Sequence, residues 1–246
     1  MDSADGTAIL AAVRVRKGFG ALVVLNDVSF ALDADEAVGI VGPNGAGKTT
    51  LLNVLAGAHP PNAGAVRFRG CDVTGLGSAK RCRLGIARSH QVPRPFGAMT
   101  VFENVFVAAA TGGGHKRTEA YARCIDALEF CDLLHTANRR AETLGLLDRK
   151  RLELARALTT DPVVLLLDEI GAGLTDAEAS ELVETIRELR RRRIAIVWIE
   201  HIVHILVQVV ERLVCMDAGH VIADGPPDAV MANAAVIDAY LGTGTA

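Results

Sequence analysis

The sequence lacks both a segment that could cross a membrane and a secretory leader. Hydrophobic residues make up 50% of its 246 residues, yet no apolar run approaches the roughly 20 residues that span a bilayer. The N-terminus also lacks the basic segment followed by an apolar segment that directs secretion. We therefore expect a soluble chain that reaches a membrane only through a partner.

Cysteine is scarce and follows no ligand or disulfide pattern. The five cysteines are Cys71, Cys82, Cys124, Cys131 and Cys215. Their number is odd and none forms a Cys-x-x-Cys pair, so neither a disulfide framework nor a zinc site fits them. The pattern favours a reducing compartment.

The chain also lacks an excess of charge of either sign. Its formal net charge is -3, from 26 basic and 29 acidic residues, so nothing indicates a nucleic-acid-binding stripe or an acidic tail. The basic cluster at 187–193 ends a helical pattern, where positive charge interacts favourably with the helix dipole. We therefore expect no nucleic-acid partner.

The second half of the chain does contain a regular alternation of strand and helix patterns. Strands are predicted at 163–167, 194–199 and 213–216, with helices at 176–190 and 202–210. Continuous aliphatic strands that alternate with helices predict an α/β fold whose parallel sheet is buried on both faces. Thr175 and Glu178 form a capping-box pattern at the start of the first of these helices.

The first half contains shorter elements and a helical insertion. Strands are predicted at 23–30 and 37–41, a helix at 49–57 and a hairpin edge at 65–69. From 80 to about 138, helical patterns flank a proline-rich and a glycine-rich piece, so we expect a mostly helical insertion between two parts of the core. We place this subdomain at approximately 80–160, within a single domain of residues 1–246.

A glycine-rich stretch follows the strand 37–41 and fits G-x-x-x-x-G-K-[ST] at every fixed position. Its glycines let backbone N–H groups converge on phosphate oxygens, and the helix behind it adds its positive end. Lys48 would neutralise the β- and γ-phosphates, and Thr49 would hold Mg²⁺ through its hydroxyl. The predicted nucleotide-binding residues are Gly42, Pro43, Asn44, Gly45, Ala46, Gly47, Lys48, Thr49 and Thr50.

Two acidic residues follow the strand 163–167. Asp168 lies at its carboxyl end, where open α/β sheets bind ligands, and would hold Mg²⁺ through water. Glu169 would orient or deprotonate the water that attacks the γ-phosphate. Combined with the phosphate loop, this pair predicts a nucleotide-hydrolysing site.

Two further polar residues are candidates for the same edge of the sheet. His201 follows the strand 194–199 as Asp168 follows its own strand, so we expect it to reach the same crevice and contact the γ-phosphate. Gln91 lies in a turn before Pro93, and taken alone it has the pattern of a surface amide.

Taken in order, these pieces resemble the ATP-binding subunits of ABC transporters over essentially the whole chain. GPNGAGKTT resembles the Walker A motif, LLLDE the Walker B motif with its catalytic glutamate, and WIEHIVHIL the segment with the switch histidine. Gln91 in SHQVPRPF resembles the Q-loop glutamine, which implies a catalytic and Mg²⁺-binding role. Phe19 occupies the place of the aromatic residue that stacks on adenine. MTVFENV, AGLT and the ending GHVIADGPPDAV resemble the branched-chain amino-acid branch.

The resemblance implies a P-loop NTPase (RecA-like) core with a helical subdomain and an antiparallel β edge. It implies an ATPase that uses ATP and Mg²⁺ to drive import of a small polar solute such as a branched-chain amino acid. It also implies two nucleotide-binding subunits that close around two ATPs at the cytoplasmic face of the membrane. Separate transmembrane permease subunits would meet 91–106, and a solute-binding protein would take part indirectly.

The family's LSGGQ signature, which acts on the ATP of the opposite subunit, is altered here. It aligns with Leu144, Gly145, Leu146, Leu147 and Asp148. Loss of the serine removes a hydrogen bond to the γ-phosphate worth about 1.5–3 kcal/mol. We expect Asp148 to cap the helix that continues to Leu158, and we expect a basic residue at 149–151 to compensate its charge. The family's D-loop aspartate is replaced by Thr175.

The altered signature leaves two interpretations open. In one, the protein forms a heterodimer with unequal sites, in which the partner supplies an intact signature over this chain's ATP. In the other, the loop bends away and the change only tunes closure of the dimer.

Two alternative functions are weighed against transport. The first is a nucleotide-binding subunit with low turnover, against which the intact Glu169 and His201 argue. The second is a non-transport ABC ATPase, against which the lack of a basic face argues.

Overall fold

Two β-sheets frame the molecule, and the computed structural model describes residues 8–89 and 91–241. The strands in this part are β1 (Ala8–Phe19), β2 (Leu22–Asp33), β3 (Ala37–Val41), β4 (Ala63–Phe68), β5 (Cys71–Asp72), β6 (Ile86–Arg88), β7 (Val164–Asp168), β8 (Ala195–Ile199), β9 (Arg212–Asp217) and β10 (His220–Gly225). The α-helices are α1 (Lys48–Leu55), α2 (Ser78–Leu84), α3 (Val101–Val107), α4 (Arg117–Phe130), α5 (Leu146–Leu158), α6 (Asp176–Arg191), α7 (Val203–Leu206), α8 (Pro227–Met231) and α9 (Ala234–Leu241).

The larger sheet has six strands in the order β10-β9-β3-β8-β7-β6. Strands β9, β3, β8, β7 and β6 run parallel, and β10 pairs antiparallel with β9 at one edge. Every residue of β3, β7 and β8 is buried, as a parallel sheet covered on both faces requires. The predicted α/β fold with a parallel sheet is confirmed.

The register of the central strands brings their carboxyl ends to one edge of the sheet. Ile199 at the end of β8 pairs with Ile40 of β3 and with Asp168 of β7. The segments that leave these three strands therefore begin side by side. This edge receives the glycine-rich loop after β3, the acidic pair at the end of β7 and His201 after β8.

The smaller sheet is antiparallel and covers one face of the larger one. Its order is β2-β1-β4-β5, and the predicted hairpin edge at 65–69 is confirmed as part of β4, which pairs with β1 and β5. Helix α1 lies between the sheets, where Leu51, Leu52 and Leu55 are fully buried in one core cluster with residues of both sheets. The glycine-rich loop that precedes α1 is thus held at the junction of the two sheets.

The opposite face of the large sheet is covered by helices. Leu182 and Ile186 of α6 share a second core cluster with Trp198 of β8 and with residues of α3, α4 and α5. The predicted capping box is confirmed, because Thr175 is the N-cap of α6 and exchanges hydrogen bonds with Glu178.

The segment 80–160 is mostly helical but contains one strand of the core. Ile86 and Ala87 of β6 are buried and pair with β7, so the chain returns to the large sheet between α2 and α3. The sequence pattern does not predict this strand, because β6 has only three residues. The division of the chain at 80 and 160 stays a prediction.

Helices α5 and α7 differ most from the helices expected. Helix α5 begins at Leu146, so the residues 146–148 form its first turn. Helix α7 covers only Val203–Leu206, whereas a helix was expected over 202–210; residues 207–209 continue as a turn. The apolar spacing of this short segment did not distinguish a helix from a helical turn.

The helices are short on the scale of a bilayer. The longest in the described part of the chain, α6, has 16 residues. No helix within residues 8–89 and 91–241 combines the length and the hydrophobicity needed to cross a membrane.

Candidate functional site

The loop between β3 and α1 is shaped by glycines that no other residue could replace without strain. Gly42 has φ 141°, and a Cβ at this position would lie 2.0 Å from the carbonyl oxygen of Met216. Gly47, the N-cap of α1, has φ 100°, and a Cβ there would lie 2.9 Å from the carbonyl oxygen of Val24. The loop is therefore packed against β2 and β9 through bare backbone.

Lys48 opens α1 and folds back over this loop. It is 6% exposed, and its Nζ donates to the carbonyl oxygens of Gly42 at 2.6 Å and Pro43 at 2.9 Å. Burial lowers the pKa of Lys48, while the negative charges of Glu169 and Asp168 act in the opposite direction. The ammonium is held where incoming phosphate oxygens can replace the two carbonyl oxygens.

A cavity of about 190 Å³ opens over the loop. Its lining residues are Val24, Asn44, Gly45, Ala46, Gly47, Lys48, Thr49, Thr50 and Glu169. The phosphate-loop residues and the acidic residue that follows β7 therefore face one space, as the sequence predicts. Backbone amides and a lysine around one cavity are the groups that bind phosphate.

Asp168 and Thr49 supply the oxygens that suit a magnesium ion. Asp168 is 1% exposed at the end of β7, and the Thr49 hydroxyl donates to its Oδ1 at 3.3 Å. Among the described residues no group of three or more His, Cys, Asp or Glu side chains could hold a metal by itself. Mg²⁺ in nucleotide sites is bound by one or two protein oxygens together with phosphates, so this pair fits that ion.

Glu169 lies at the centre of a second cluster of predicted residues. Its Oε1 is 2.8 Å from Nε2 of His201, and its Oε2 accepts a hydrogen bond from Nε2 of Gln91. Three residues from well-separated segments therefore meet around one carboxylate. Gln91, which has the pattern of a surface amide, is brought to the site by the chain that leaves β6.

The backbone of Glu169 is held in an uncommon conformation. Its φ is 47°, in the left-handed region that a non-glycine residue rarely adopts. Its N–H donates to the carbonyl oxygen of Ile199 at 2.9 Å. Strained conformations of this kind persist where neighbouring structure enforces them, often at functional sites.

Two basic residues that the sequence analysis did not assign to this site contact the acidic pair. An NH2 group of Arg88 lies 2.7 Å from Oδ2 of Asp168. Nζ of Lys150, a buried residue of α5, donates to the carbonyl oxygen of Glu169 at 3.3 Å. Burial lowers the pKa of Lys150, while the negative charges of Glu200 and Glu169 act to raise it. Neither residue belongs to a motif with a fixed spacing.

Glu200 is a third residue that sequence reasoning missed. It is 2% exposed, and its Oε1 accepts hydrogen bonds from the Gly171 amide at 2.5 Å and from Nε1 of Trp198 at 3.3 Å. Burial raises the pKa of its carboxyl, while these hydrogen bonds and Lys150 act in the opposite direction. Glu200 thereby joins the end of β8 to the segment that follows Glu169.

Phe19 ends β1 outside the phosphate cavity. Its side chain is 46% exposed, its ring meets the ring of His59 edge-on at 5.4 Å, and Nζ of Lys17 lies 4.9 Å from the ring centroid. A half-exposed ring supported from behind leaves a face on which a base can stack. The role in adenine binding stays a prediction.

The altered signature begins a helix and is not a free loop. Gly145 is the N-cap of α5 in an extended conformation, with no side-chain cap. The expectation that Asp148 caps this helix is wrong, because Asp148 lies inside the first turn. Its carboxylate lies 3.8 Å from the guanidinium of Arg151, one turn further along.

The basic residues behind the signature have three separate roles. Arg151 compensates Asp148, as expected, and also pairs with Glu181 of α6 at 2.7 Å. Arg149 instead donates to the carbonyl oxygen of Leu144 at 2.9 Å, and Lys150 points inward to Glu169. Among the described residues, Arg151 is the base that pairs with the Asp148 carboxylate.

Comparisons with known families identify one group of related proteins. The family model described as ABC transporter matches residues 25–172. A second model, described as branched-chain amino acid ATP-binding cassette transporter, matches residues 220–246. Together the two matches include the phosphate loop, the acidic pair and the C-terminal segment.

Curated relatives and solved structures agree with the family models. The high-affinity branched-chain amino acid transport ATP-binding protein LivG of Escherichia coli is 39% identical over 239 residues, which cover 91% of this chain and 94% of that protein. BraF of Pseudomonas aeruginosa, described in the same words, is 36% identical over the same shares. A nucleotide-free ATP-binding cassette from an ABC transporter superposes with a TM-score of 0.87 at 29% identity, covering 95% of this chain and 98% of that one.

A cassette of an ABC transporter in its ADP conformation superposes equally well. Its TM-score is 0.87 at 29% identity, covering 96% of this chain and 100% of that one. The ADP conformation of that cassette agrees with a nucleotide site in this fold. The chain therefore belongs to the ATP-binding cassette family of transport ATPases.

Proposed function

We propose that this protein is the ATP-hydrolysing subunit of an importer for branched-chain amino acids. The observation that carries the proposal is the Glu169 carboxylate, held between Gln91 and His201 at the rim of the phosphate-loop cavity. The solute class is supported by the descriptions of LivG and BraF and by the C-terminal family match.

ATP binds with its phosphates over the loop that follows β3. The backbone amides of 42–47 and the start of α1 surround the phosphate oxygens. Lys48 exchanges its hydrogen bonds to Gly42 and Pro43 for the β- and γ-phosphates. The exposed face of Phe19 receives the adenine ring.

Thr49, Asp168 and Gln91 would hold the magnesium ion. The hydroxyl of Thr49 and Oδ1 of Asp168 already face each other, and Gln91, which donates its amide nitrogen to Glu169, keeps its amide oxygen for the metal. Mg²⁺ bound there neutralises negative charge on the phosphates.

Glu169 accepts the proton of the water that attacks the γ-phosphate. Its carboxylate needs a fixed direction to do so, and His201 and Gln91 each hold one of its oxygens. His201, whose side chain is 44% exposed, also reaches the γ-phosphate. The hydrogen bonds of Lys150 and Ile199 fix the backbone of Glu169.

A second ATPase subunit closes the site, and we propose that the pair is a heterodimer with unequal sites. The partner's intact signature covers the ATP of this chain. In return this chain contributes the start of α5. Gly145 lacks the serine hydroxyl there, but no side-chain cap from the described residues occupies the N–H groups of the first turn. These amides still attract phosphate, so the second site is weakened and not abolished.

Permease subunits bind the face that contains the segment 91–106, at the cytoplasmic side of the membrane. Val92, Phe96 and Met99 are exposed there by 65%, 47% and 38%. A cavity of about 320 Å³ is lined by residues of α2, β6 and α5, and one of them, Arg156, lies over the ring of Phe96. Apolar residues exposed around a cavity are typical of a protein-binding surface.

Reconstitution tests the proposal. The chain is co-purified with the permease and ATPase subunits encoded beside its gene, inserted into liposomes and supplied with ATP and radiolabelled leucine. We expect ATP-dependent leucine uptake and Mg-ATP hydrolysis. Hydrolysis without leucine uptake would refute the solute class, and binding without hydrolysis would favour the low-turnover alternative.

A further inference from the structure

Arg88 ends the edge strand β6 and reaches into the nucleotide site from the side. Its side chain is 13% exposed, and one NH2 group lies 2.7 Å from Oδ2 of Asp168. The other terminal nitrogen donates to Oδ1 of Asn53, a residue of the helix that starts at the phosphate loop. One guanidinium therefore connects β6, β7 and α1.

The contacts of Asp168 divide its two oxygens. Oδ2 accepts from Arg88, and Oδ1 accepts from the Thr49 hydroxyl at 3.3 Å. The Asp168 carboxylate is 1% exposed, and a buried carboxylate without a cation beside it is strongly destabilising. Because Arg88 occupies one oxygen, the other is left facing Thr49, on the side where the metal is proposed to bind.

We propose that Arg88 is a positioning residue that orients Asp168 toward the magnesium ion. The inference rests on the proposed ATPase function, since it concerns the metal site of that function. Arg88 does not touch the metal itself. Arg88 determines which oxygen of Asp168 is available to the metal and where that oxygen points. Removal of Arg88 therefore raises the Mg²⁺ concentration needed for tight nucleotide binding.

Nucleotide binding in a hydrolysis-blocked background tests this role. In Glu169→Gln protein, ATP affinity is measured by calorimetry in EDTA and across a series of Mg²⁺ concentrations. For Arg88→Met we expect the half-saturating Mg²⁺ concentration to rise about tenfold or more, with ATP affinity in EDTA unchanged within about threefold. Arg88→Lys keeps the charge but lacks the planar fork, and we expect it to shift the Mg²⁺ midpoint in the same direction while keeping the unfolding temperature near that of the parent.

Two control variants separate positioning from general stability. Asn53→Ala removes the other partner of the guanidinium and leaves the bond to Asp168, so its Mg²⁺ midpoint should move less than threefold. Arg212→Met breaks a comparable ion pair with Glu36 at 2.7 Å, away from the site, and should lower the unfolding temperature without moving the Mg²⁺ midpoint.

Three outcomes would overturn the inference. An unchanged Mg²⁺ midpoint in Arg88→Lys and Arg88→Met would make the pair purely structural. An equal loss of ATP affinity with and without Mg²⁺ would mean that Arg88 acts on the phosphate loop through Asn53 and not on the metal site. If the parent protein itself shows no Mg²⁺-dependent gain in ATP affinity, the proposed function fails and this inference fails with it.

Discussion

The phenolic oxygen of Tyr240 accepts a hydrogen bond of 2.9 Å from the backbone amide of Gly42. Tyr240 lies in α9, and Gly42 opens the phosphate loop, so the contact joins residues that are 198 positions apart. Tyr240 also falls within the residues 220–246 matched by the branched-chain family model. The C-terminal segment of this chain therefore supports the entry to the phosphate loop directly.

Removal of this hydroxyl is expected to weaken ATP binding. Tyr240→Phe keeps the ring in place but leaves the Gly42 amide without this acceptor, so the loop loses part of its preorganisation. A hydrogen bond of this kind contributes about 0.5–1.5 kcal/mol, which corresponds to roughly a two- to tenfold loss of ATP affinity. Calorimetric titration with ATP measures the effect.

The chain offers a matched control for this substitution. Tyr121 is the other of the two tyrosines and is exposed to a similar extent, 44% against 38%, but it packs on Phe102 and Phe106 in the helical region. Tyr121→Phe should leave ATP affinity unchanged. Equal effects of the two substitutions would show that the contact with Gly42 has no specific role.

Glu169→Gln is expected to separate ATP binding from hydrolysis. Glutamine keeps an oxygen for a hydrogen bond from Gln91 or His201 but cannot take a proton from water. Hydrolysis should fall at least tenfold, as expected for loss of a general base, while ATP affinity persists. Mg-ATP turnover and equilibrium binding are measured on the same preparation, with Glu184→Gln, a 64% exposed side chain of α6, as the control. Unaltered turnover would mean that another group accepts the proton.

Gly145→Ser is expected to restore the signature in trans. A Cβ at Gly145 meets no atom within 4 Å, so a serine fits at the N-cap of α5. Its hydroxyl can bond the γ-phosphate on the opposite subunit, a contact to a charged group worth about 1.5–3 kcal/mol, or roughly ten- to a hundredfold at that site.

In the asymmetric heterodimer, this prediction can be tested at each of the two ATP sites separately. Hydrolysis is measured in the mixed complex while the catalytic glutamate of one subunit or the other is replaced by glutamine. The gain should appear when only the partner's glutamate is intact and be absent when only Glu169 is intact. A gain in both complexes, or in neither, contradicts the proposed division of labour.

The parts of the site that could be predicted are those in which local pattern determines position. The aliphatic runs of β7 and β8 indicated buried parallel strands, and parallel strands present their carboxyl ends at one edge. Asp168 and His201 could therefore be placed together before their distance was known. The capping box of Thr175 and Glu178 was predictable for the same reason, since both partners lie within one helical turn.

The parts that could not be predicted depend on contacts between distant segments. Arg88 is the last residue of a three-residue strand at the edge of the sheet. Tyr240 lies on a helix whose docking on the loop has no sequence signal. Lys150 had the pattern of a surface base that could compensate Asp148. It lies instead on the inner side of α5, where burial and the Glu169 carbonyl determine its contacts.

Glu178 is expected to make a contribution to the free energy of unfolding that increases with pH. Hydrogen bonds from the Thr175 amide and hydroxyl lower the pKa of its carboxyl. The unfolded chain therefore binds more protons than the folded protein around pH 4.5, so this stabilisation is present above the ordinary pKa and is lost as the pH falls. Glu178→Gln should lower the free energy of unfolding at neutral pH, and its difference from the parent should vanish in acid.

Glu200 is expected to behave in the opposite way. Burial raises the pKa of its carboxyl above the ordinary value of 4.5. Between that value and the folded-state pKa, the folded protein binds more protons than the unfolded chain, so the free energy of unfolding falls as the pH rises. Glu200→Gln removes this charge while its amide oxygen can still accept from the Gly171 amide. Urea unfolding should show the variant to be more stable than the parent at pH 7.5 and equal to it near about pH 4. A variant that is less stable than the parent at neutral pH would indicate that the charge of Glu200 is needed to balance the buried Lys150, whose charge it faces.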